Sequence, residues 1–275
     1  MRPLLLVVAL IALVACATVE GTGRRQLLLT SVGQENQLGA QAYAEIKQKE
    51  KRSDDPVATA LIERVGKRLV PHAPDRGFQY EFILLESDTI NAFCLPGGKV
   101  AFYTGILGWC GNEAAVAAVM GHEIAHAIAR HGGERMSQQM AAGVAGGVLA
   151  VALEAKGVEP TTRNLSLAAF GLGTQLGVML PFSRAHETEA DEMGLMYMAK
   201  AGYDPEEAVR FWTRFGQLGG GTPSFLSTHP ASEDRARALN ALMPRAKALY
   251  QAAPQRFGLG ETLPARYTAK KPGHG

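Results

Sequence analysis

Two histidines and a glutamate lie within five residues near the middle of the chain. The segment reads His122-Glu123-Ile124-Ala125-His126. At 3.6 residues per turn, both histidines lie on the same side of a helix, so their imidazoles could bind one zinc ion. Glu123 would then stand beside a zinc-activated water as its general base. This spacing indicates hydrolysis of a peptide bond.

The residues around this segment favour a helix that is largely buried. Residues 112–130 are rich in helix formers, and an unbroken apolar run covers residues 114–120. Buried imidazoles and carboxylates need partners, and a metal ion would satisfy several of them at once. A five-residue pattern also occurs by chance, however, so the hypothesis of a metal site needs support from elsewhere in the chain.

A catalytic zinc ion requires a third protein ligand and an open position for water. His131 follows His126 by five residues and would point about 140° away from it on a continuous helix, which favours a role in packing or capping. Side chains in the later chain that could supply the ligand are His131, His186, Glu187, Glu189, Asp191 and His229.

Residues 183–191 contain the most favourable of these candidates. Glu187 and Asp191 are four residues apart and share one helix face. If Glu187 binds zinc, Asp191 can accept a hydrogen bond from the second ring nitrogen of a zinc-bound histidine. Glu189 would point about 160° away from Asp191 and cannot face the same metal. The alternative is a solvated acidic helix face.

The first residues predict export from the cytoplasm. Arg2 precedes an apolar run over residues 4–15, which is too short for a membrane span and is typical of a signal-peptide core. The Leu-Val-Ala-Cys sequence ending at Cys16 resembles a bacterial lipobox, in which the cysteine is acylated and begins the mature chain. Ala17 favours sorting to the outer membrane. An ordinary secretory signal with a chance cysteine is the alternative.

Charge and cysteine content narrow the possible partners. The 28 basic residues nearly balance the 26 acidic ones, and removal of residues 1–15 takes away only Arg2. This balance argues against binding of nucleic acid. An oxidising envelope could join Cys94 to Cys110, but small buried cysteines are common, and two free thiols are the favoured interpretation.

The residue pattern predicts a mainly helical α+β fold with a small antiparallel sheet beside the zinc-motif helix. Residues 91–95 and 99–103 flank Pro96-Gly97-Gly98, which indicates a hairpin, and residues 79–86 alternate like a strand. Predicted helices cover residues 33–49, 56–70, 112–130, 183–201 and 232–242, with one starting at 204 and a short one at Pro244.

The strand over residues 99–103 is the candidate edge to which an extended substrate peptide could add. Candidate substrate contacts are accordingly Asn91, Lys99, Val100 and Ala101. A hairpin with a purely structural role is the alternative.

Residues 140–153 and 165–182 are weakly polar and rich in glycine and alanine. Neither comfortably reaches a membrane span, so we expect a closely packed pair of core helices near the active site, with a lid or a membrane contact as alternatives. The expected organisation is a signal peptide over 1–15, a tether over 16–32, one catalytic domain over 33–250 and an irregular tail over 251–275.

Four motifs together resemble peptidase family M48, and within it the bacterial envelope lipoproteins of the LoiP-like and Oma-like type. In chain order they are Asn91-Ala92-Phe93 with Pro96-Gly97-Gly98, the segment 122–126, Ser183-Arg184 with residues 187–191, and Thr228-His229-Pro230. The resemblance implies a gluzincin-type zinc endopeptidase whose one zinc ion is bound by His122, His126 and Glu187, with Glu123 as general base. It also implies that the hairpin over 91–103 borders the substrate cleft.

The same resemblance gives His229 a role, either in stabilising the oxyanion or as a reversible plug in the open zinc position. A loop histidine without such a role is the alternative. The expected substrates are misfolded or unassembled membrane or periplasmic proteins. The competing expectation is a non-catalytic envelope chaperone or outer-membrane assembly factor, in which His229 would permanently complete a structural zinc site.

Overall fold

The computed structural model of the protein describes residues 16–174, 180–216, 225, 229 and 233–268. The chain divides into two compact units. Unit 1 contains the residues up to Val32 together with residues 130–186, and unit 2 contains residues 33–129 and 187–275. The predicted signal peptide lies outside the described residues, as do most residues of the loop before and after His229.

The described elements are mainly helical, as predicted. In chain order they are β1 (Cys16–Thr18), β2 (Arg25–Leu27), α1 (Val32–Lys49), α2 (Pro56–Leu69), a short 3-10 helix (Val70–His72), β3 (Glu81–Leu85), β4 (Ala92–Leu95), β5 (Lys99–Tyr103), α3 (Thr104–Cys110), α4 (Glu113–Ile128), α5 (His131–Ala155), α6 (Pro160–Thr174), α7 (Leu180–Lys200), α8 (Glu206–Gly216), α9 (Glu233–Ala252) and α10 (Ala265–Thr268).

The helix that carries the two histidines starts where its capping residue predicts. The side chain of Asn112 accepts a hydrogen bond from the backbone N–H of Ala115 at 2.9 Å, which satisfies one of the free donors of the first turn of α4. Two further N–H groups of that turn donate to the C-terminal segment: Glu113 N to Glu261 O and Ala114 N to Leu259 O. The helix is buried along almost its whole length.

The sheet of unit 2 has the strand order β3-β5-β4. The predicted hairpin is present, and β4 pairs with β5 in antiparallel fashion, whereas β3 pairs with β5 in parallel, so the sheet is mixed. The prediction that Lys99–Tyr103 forms the edge is therefore wrong. Three consecutive apolar residues of β5, Val100, Ala101 and Phe102, are fully buried, which is typical of a central strand rather than an edge.

Helices α4 and α7 contact each other through two glycines. A Cβ atom on Gly194 would lie 2.7 Å from the carbonyl carbon of Gly121 and 2.7 Å from the backbone nitrogen of His122. Such distances are too short for any side chain, so the two backbones meet directly. Consequently the helix with the two histidines and the helix with the acidic residues are held at close range.

The C-terminal region departs from the prediction in two ways. Helix α9 continues through Pro244, whose ring is exposed, instead of ending before it. The segment after it is irregular but not a loose tail. Phe257 N donates to Gly202 O at 2.7 Å, and Leu263 is buried. This irregular segment is ordered because its backbone groups form hydrogen bonds with backbone groups at the start of α4 and just after α7, which have no partner within their own helices.

Unit 1 also differs from expectation. Residues 16–27, predicted as part of a tether, form an antiparallel hairpin of β1 and β2. Helices α5 and α6 pack against each other as expected, but they are not core helices, since Val144 and Val151 on α5 are 70% and 68% exposed. By length and composition alone, α5 is the one helix among the described residues that could cross a membrane.

In unit 2, Cys94 and Cys110 are both free thiols.

Candidate metal centre

The two histidines of α4 face each other as their spacing predicts. The Nε2 atoms of His122 and His126 are 3.0 Å apart, and both rings point to one side of the helix. His122 is buried, and the side chain of His126 is 13% exposed. Two imidazole nitrogens at this distance would compete for one proton, but they can share one cation.

Glu187 on α7 and His229 complete a group of four possible ligands. The carboxylate oxygens of Glu187 lie 3.3 Å from the Nε2 atoms of His122 and His126. The Nδ1 atom of His229 lies 3.2 Å from His122 Nε2 and 3.1 Å from Glu187 Oε2. One donor atom from each of these four residues falls within 4.8 Å of the others.

The spacing and chemistry of this group fit a zinc ion. Four ligands placed about 2.0–2.1 Å from a common centre in a tetrahedron are separated from each other by about 3.3 Å. Neighbouring donor atoms in the group are 3.0 to 3.3 Å apart. Three imidazole nitrogens and a carboxylate oxygen are donors that zinc accepts.

Asp191 and Arg235 support the group from behind. The Oδ1 atom of Asp191 lies 2.9 Å from the Nδ1 atom of His122, and its carboxylate accepts two hydrogen bonds from the Arg235 guanidinium at 2.7 and 2.8 Å. The guanidinium also lies 3.3 Å from Glu187 and stacks over the ring of Trp212. The structure brings Asp191, a residue named from the sequence, next to His122, whereas Arg235 and Trp212 were missed.

Charge balance is the signal that could have revealed Arg235. Two carboxylates on one buried helix face require a nearby cation. Burial alone would raise the pKa of Asp191, but the charge and hydrogen bonds of Arg235 and the contact with His122 hold that pKa below its ordinary value. In the metal-free chain, the contacts with Asp191 and Glu187 overcome burial and raise the pKa of His122 to about 9.

Glu123 is placed differently from the other carboxylates. Its side chain is buried, and its Oε1 atom has no hydrogen-bond partner among the described residues. The Nε2 atom of His229 lies 3.5 Å from this oxygen. Burial raises the pKa of Glu123 in spite of the opposing influence of His229 and His122. A carboxylate with a raised pKa is a stronger base.

The family model of Peptidase family M48 matches residues 56–243, which include every residue of this centre. The chain belongs to this family. It is 35% identical over 233 residues to mitochondrial metalloendopeptidase OMA1 of Schizosaccharomyces pombe, a match that covers 82% of the chain and 66% of the relative. It is 32% identical over 215 residues to the beta-barrel assembly-enhancing protease of Escherichia coli K12, a match that covers 74% of the chain and 43% of the relative. The chain thus spans no more than about two thirds of these relatives.

The other ligand candidates of this M48 chain lie outside the four-donor group. They are His131, His186, Glu189 and Asp191. Glu189 is buried on α7 but lies outside the group, as its position on the helix predicts. In unit 1, the Nε2 atom of His186 lies 2.9 Å from Glu134, and the ring of His131 stacks on that of His186 with centroids 4.2 Å apart. His131 therefore packs rather than binds the metal, as expected.

The predicted substrate contacts need a correction. Lys99, Val100 and Ala101 lie on the central strand β5, with strands on both sides, and Lys99 is held by an ion pair with Glu81. On the hairpin side of the described sheet, the outer strand is β4, and its outer edge could accept a peptide. Tyr103 N donates to Asn91 O, so by alternation the backbone groups of Cys94 point away from β5.

Strand β4 also lies close to Glu123. It packs against α4, and the negative charge of Glu123 contributes, after burial, to a raised pKa of the Cys94 thiol. The segment before His229 is attached to the start of the same hairpin, because Phe225 N donates to Ile90 O at 3.1 Å. Asn91 thus lies between the attachment of that segment and the free edge of β4.

Proposed function

We propose that this M48 chain is a zinc-dependent endopeptidase of the bacterial cell envelope. The observation that carries the proposal is the four-donor group of His122, His126, Glu187 and His229 with the buried carboxylate of Glu123 beside it. A donor set alone would fit a structural metal site, whereas a buried carboxylate oxygen without a hydrogen bond, such as Oε1 of Glu123, is costly to the fold and serves no structural purpose there. It is the feature expected of a general base.

His122, His126 and Glu187 would hold the zinc ion, which when bound supplies the positive charge that polarises the scissile carbonyl and activates a water molecule. Glu123 accepts the proton of the attacking water as the new C–O bond forms. It then donates that proton to the leaving amine as the C–N bond breaks. Glu123 ends the cycle ionised, as it began.

Asp191 and Arg235 keep His122 in one tautomer. A proton on Nδ1 of His122 is shared with Asp191, so the lone pair of Nε2 faces the metal group. Arg235 in turn fixes the carboxylate of Asp191 through two hydrogen bonds. Both residues act through His122 and are positioning residues.

His229 acts as a reversible plug. Its Nδ1 atom lies among the donors of the metal group, and its Nε2 atom faces Glu123, so in this arrangement it takes the position that a water molecule needs. A substrate must displace it before cleavage. The ring of Phe225 packs 4.6 Å from that of His229 and connects this movement to the start of the β4 hairpin.

Substrates bind as extended peptides along the edge of β4. A strand that adds there gains backbone hydrogen bonds without demanding a particular sequence, which suits misfolded or unassembled membrane and periplasmic proteins. Such chains expose extended segments that folded proteins hide. Cys16 anchors the enzyme through its acylated thiol to the outer membrane, facing the periplasm.

Replacement of two glutamates tests the catalytic assignment. A Glu123→Gln protein should keep its zinc and fail to cleave an unfolded substrate such as reduced casein, whereas a Glu187→Gln protein should lose zinc. Glu192→Gln is the matched control, since Glu192 lies on the same helix as Glu187 and is paired with Arg245 at the surface. Undiminished casein cleavage by Glu123→Gln would refute the assigned base.

The second candidate is a non-catalytic envelope chaperone, and the position of His229 inside the donor group favours it. Replacing His229 by alanine separates the two functions. A plug predicts that zinc stays bound by the remaining three ligands and that cleavage becomes faster. Loss of zinc would instead identify a permanent fourth ligand and support the chaperone. A loss of cleavage with zinc retained would indicate oxyanion stabilisation.

A further inference from the structure

The outer face of the α5–α6 hairpin in unit 1 is apolar and exposed. We define it by Met140, Val144, Val148 and Val151 on α5 and Leu165 and Leu172 on α6, whose side chains are 52% to 70% exposed. On α5 these positions follow the helical period and form one stripe. Exposed apolar side chains are ordinary when scattered, but the four on α5 form a stripe along one helix, which indicates a surface that something covers.

The face carries no charge along its length. No charged residue lies between Arg135 and Glu154 on α5, or between Arg163 and the end of α6. Every exposed residue of α5 from Met140 to Val151 is apolar or glycine. A helix that meets water normally presents charged or polar side chains there. Water is therefore not the medium that this face fits.

Charged residues are instead collected at the turn between the two helices. Glu154, Lys156, Glu159 and Arg163 lie there and balance each other in sign. Apolar helices that end in a charged turn are typical of segments that contact lipid, with their charges at the level of the headgroups.

A protein partner fits this face less well. Protein interfaces concentrate their binding energy in tryptophan, tyrosine and arginine, which fill pockets on the partner. The outer face of the hairpin contains none of these residues and consists of valine, leucine, methionine and the small residues between them. Such a surface offers no specific contact, whereas a fluid acyl phase requires none.

The position of Cys16 also favours a lipid bilayer as the surface that covers this face. Strand β1 begins at Cys16, pairs with β2, and β2 contacts α5 within the same unit. On the proposed function, acylation of Cys16 would hold this unit at a bilayer. The chain that leads to the anchor and the apolar face thus belong to one compact part of the molecule.

We infer that the outer face of the α5–α6 hairpin inserts into the surface of a phospholipid bilayer and forms a second membrane contact besides the anchor at Cys16. The contact depends on apolar burial. Because the charges of the turn cancel, it should be the same for neutral and anionic lipids and nearly independent of salt.

Fluorescence quenching in vesicles tests this contact in the full-length lipoprotein purified from membranes. A Val148→Trp protein is reconstituted into phosphatidylcholine vesicles that carry bromine on the acyl chains. Its additional fluorescence, relative to the wild type with Trp109 and Trp212, should be quenched by roughly half or more, because the indole would lie at acyl-chain depth. Val144→Trp gives the same reading if the first variant folds poorly.

Leu38→Trp is the matched control, because Leu38 is an exposed apolar residue of α1 in unit 2, 49% accessible to solvent. It should show no quenching on the same vesicles. Co-flotation with vesicles reports the anchor and casein cleavage reports the enzyme, so each can fail separately. Floating, active Val148→Trp protein without quenching would overturn the inference. So would a lipid-free dimer in which the Val148→Trp fluorescence is already shifted to the blue.

Discussion

Oδ1 of Asp191 lies 2.9 Å from Nδ1 of His122, on the side of the ring opposite the metal group. The contact leaves the Nε2 atom of the ring free to face the metal group. It also brings together a residue of α4 and a residue of α7 that are far apart in sequence, so the metal centre depends on how these two helices pack.

Replacing Asp191 by asparagine should weaken zinc binding by about 10- to 100-fold, because an amide neither orients nor polarises His122 as a carboxylate does. Competition with a chromophoric chelator measures this change. Glu192→Gln, one position along the same helix, should bind zinc as the wild type does. An unchanged zinc affinity for Asp191→Asn would contradict the assigned role.

Arg235→Met should destabilise the metal-free protein by about 3–5 kcal/mol, since it leaves the carboxylates of Asp191 and Glu187 buried without their cation. Zinc replaces part of the lost positive charge, so the difference in the free energy of unfolding should be smaller in the zinc-loaded protein. Urea unfolding with and without zinc measures both. Equal losses in the two states would show that Arg235 stabilises the fold without regard to the metal centre.

The direct backbone contact between α4 and α7 gives a prediction that needs no change to a polar residue. Gly194→Ala should push the two helices apart, lower stability by about 1–3 kcal/mol and weaken zinc binding, because its Cβ would lie 2.7 Å from the backbone of Gly121 and His122. Gly147→Ala on α5, which meets nothing within 4 Å, is the control and should be neutral or stabilising. Calorimetry and zinc titration provide the comparison.

Glu113 should make the stability depend on acid. Burial would raise its pKa, but hydrogen bonds from Arg64, Tyr203 and the backbone of Glu261 hold the pKa below its ordinary value. Its contribution is therefore complete above about pH 4.3, the pKa of an unfolded glutamate, and is lost as the pH falls through the lower folded value.

Glu113→Gln should accordingly lower the free energy of unfolding by about 1–3 kcal/mol at pH 7. The difference should shrink as the pH falls from about 4.3, where the unfolded carboxyl takes up a proton, through the lower pKa of the native carboxyl. Urea unfolding across this pH range checks the trend. Glu261→Gln, at an exposed partner of Arg64, should have a much smaller effect. A difference that does not shrink in acid would rule out the charged form of Glu113 as its source.

Local features of the fold could be predicted from the sequence because each depends on residues close together in the chain. Asn112 caps α4 through a residue three positions away, and the glycines of the β4–β5 turn adopt positive φ angles. His122 and His126 face one side simply because of the helical period. Glu187 and Asp191 followed from the same argument on a second helix.

Features that depend on distant residues could not be predicted in this way. The pairing of β3 with β5 makes β5 a central strand, and nothing within residues 99–103 reveals that neighbour except their continuous burial. Arg235 reaches Asp191 across 44 positions of sequence. The C-terminal segment is ordered by hydrogen bonds from the backbone N–H groups of Glu113 and Ala114, which have no acceptor within their own helix. Only the folded chain brings these groups within reach of the segment.

The corrected strand edge leads to a prediction that the sequence alone would have placed elsewhere. If substrates add to β4, then Cys94→Pro should raise KM for an unfolded protein several-fold with little change in kcat, because proline removes the N–H that points away from β5. Cys94→Ala keeps that N–H and is the control for loss of the thiol. Steady-state cleavage of a fluorogenic peptide gives both constants. A fall in kcat alone would place the effect on the adjacent Glu123 instead, and an unchanged KM would mean that peptides do not bind along this edge.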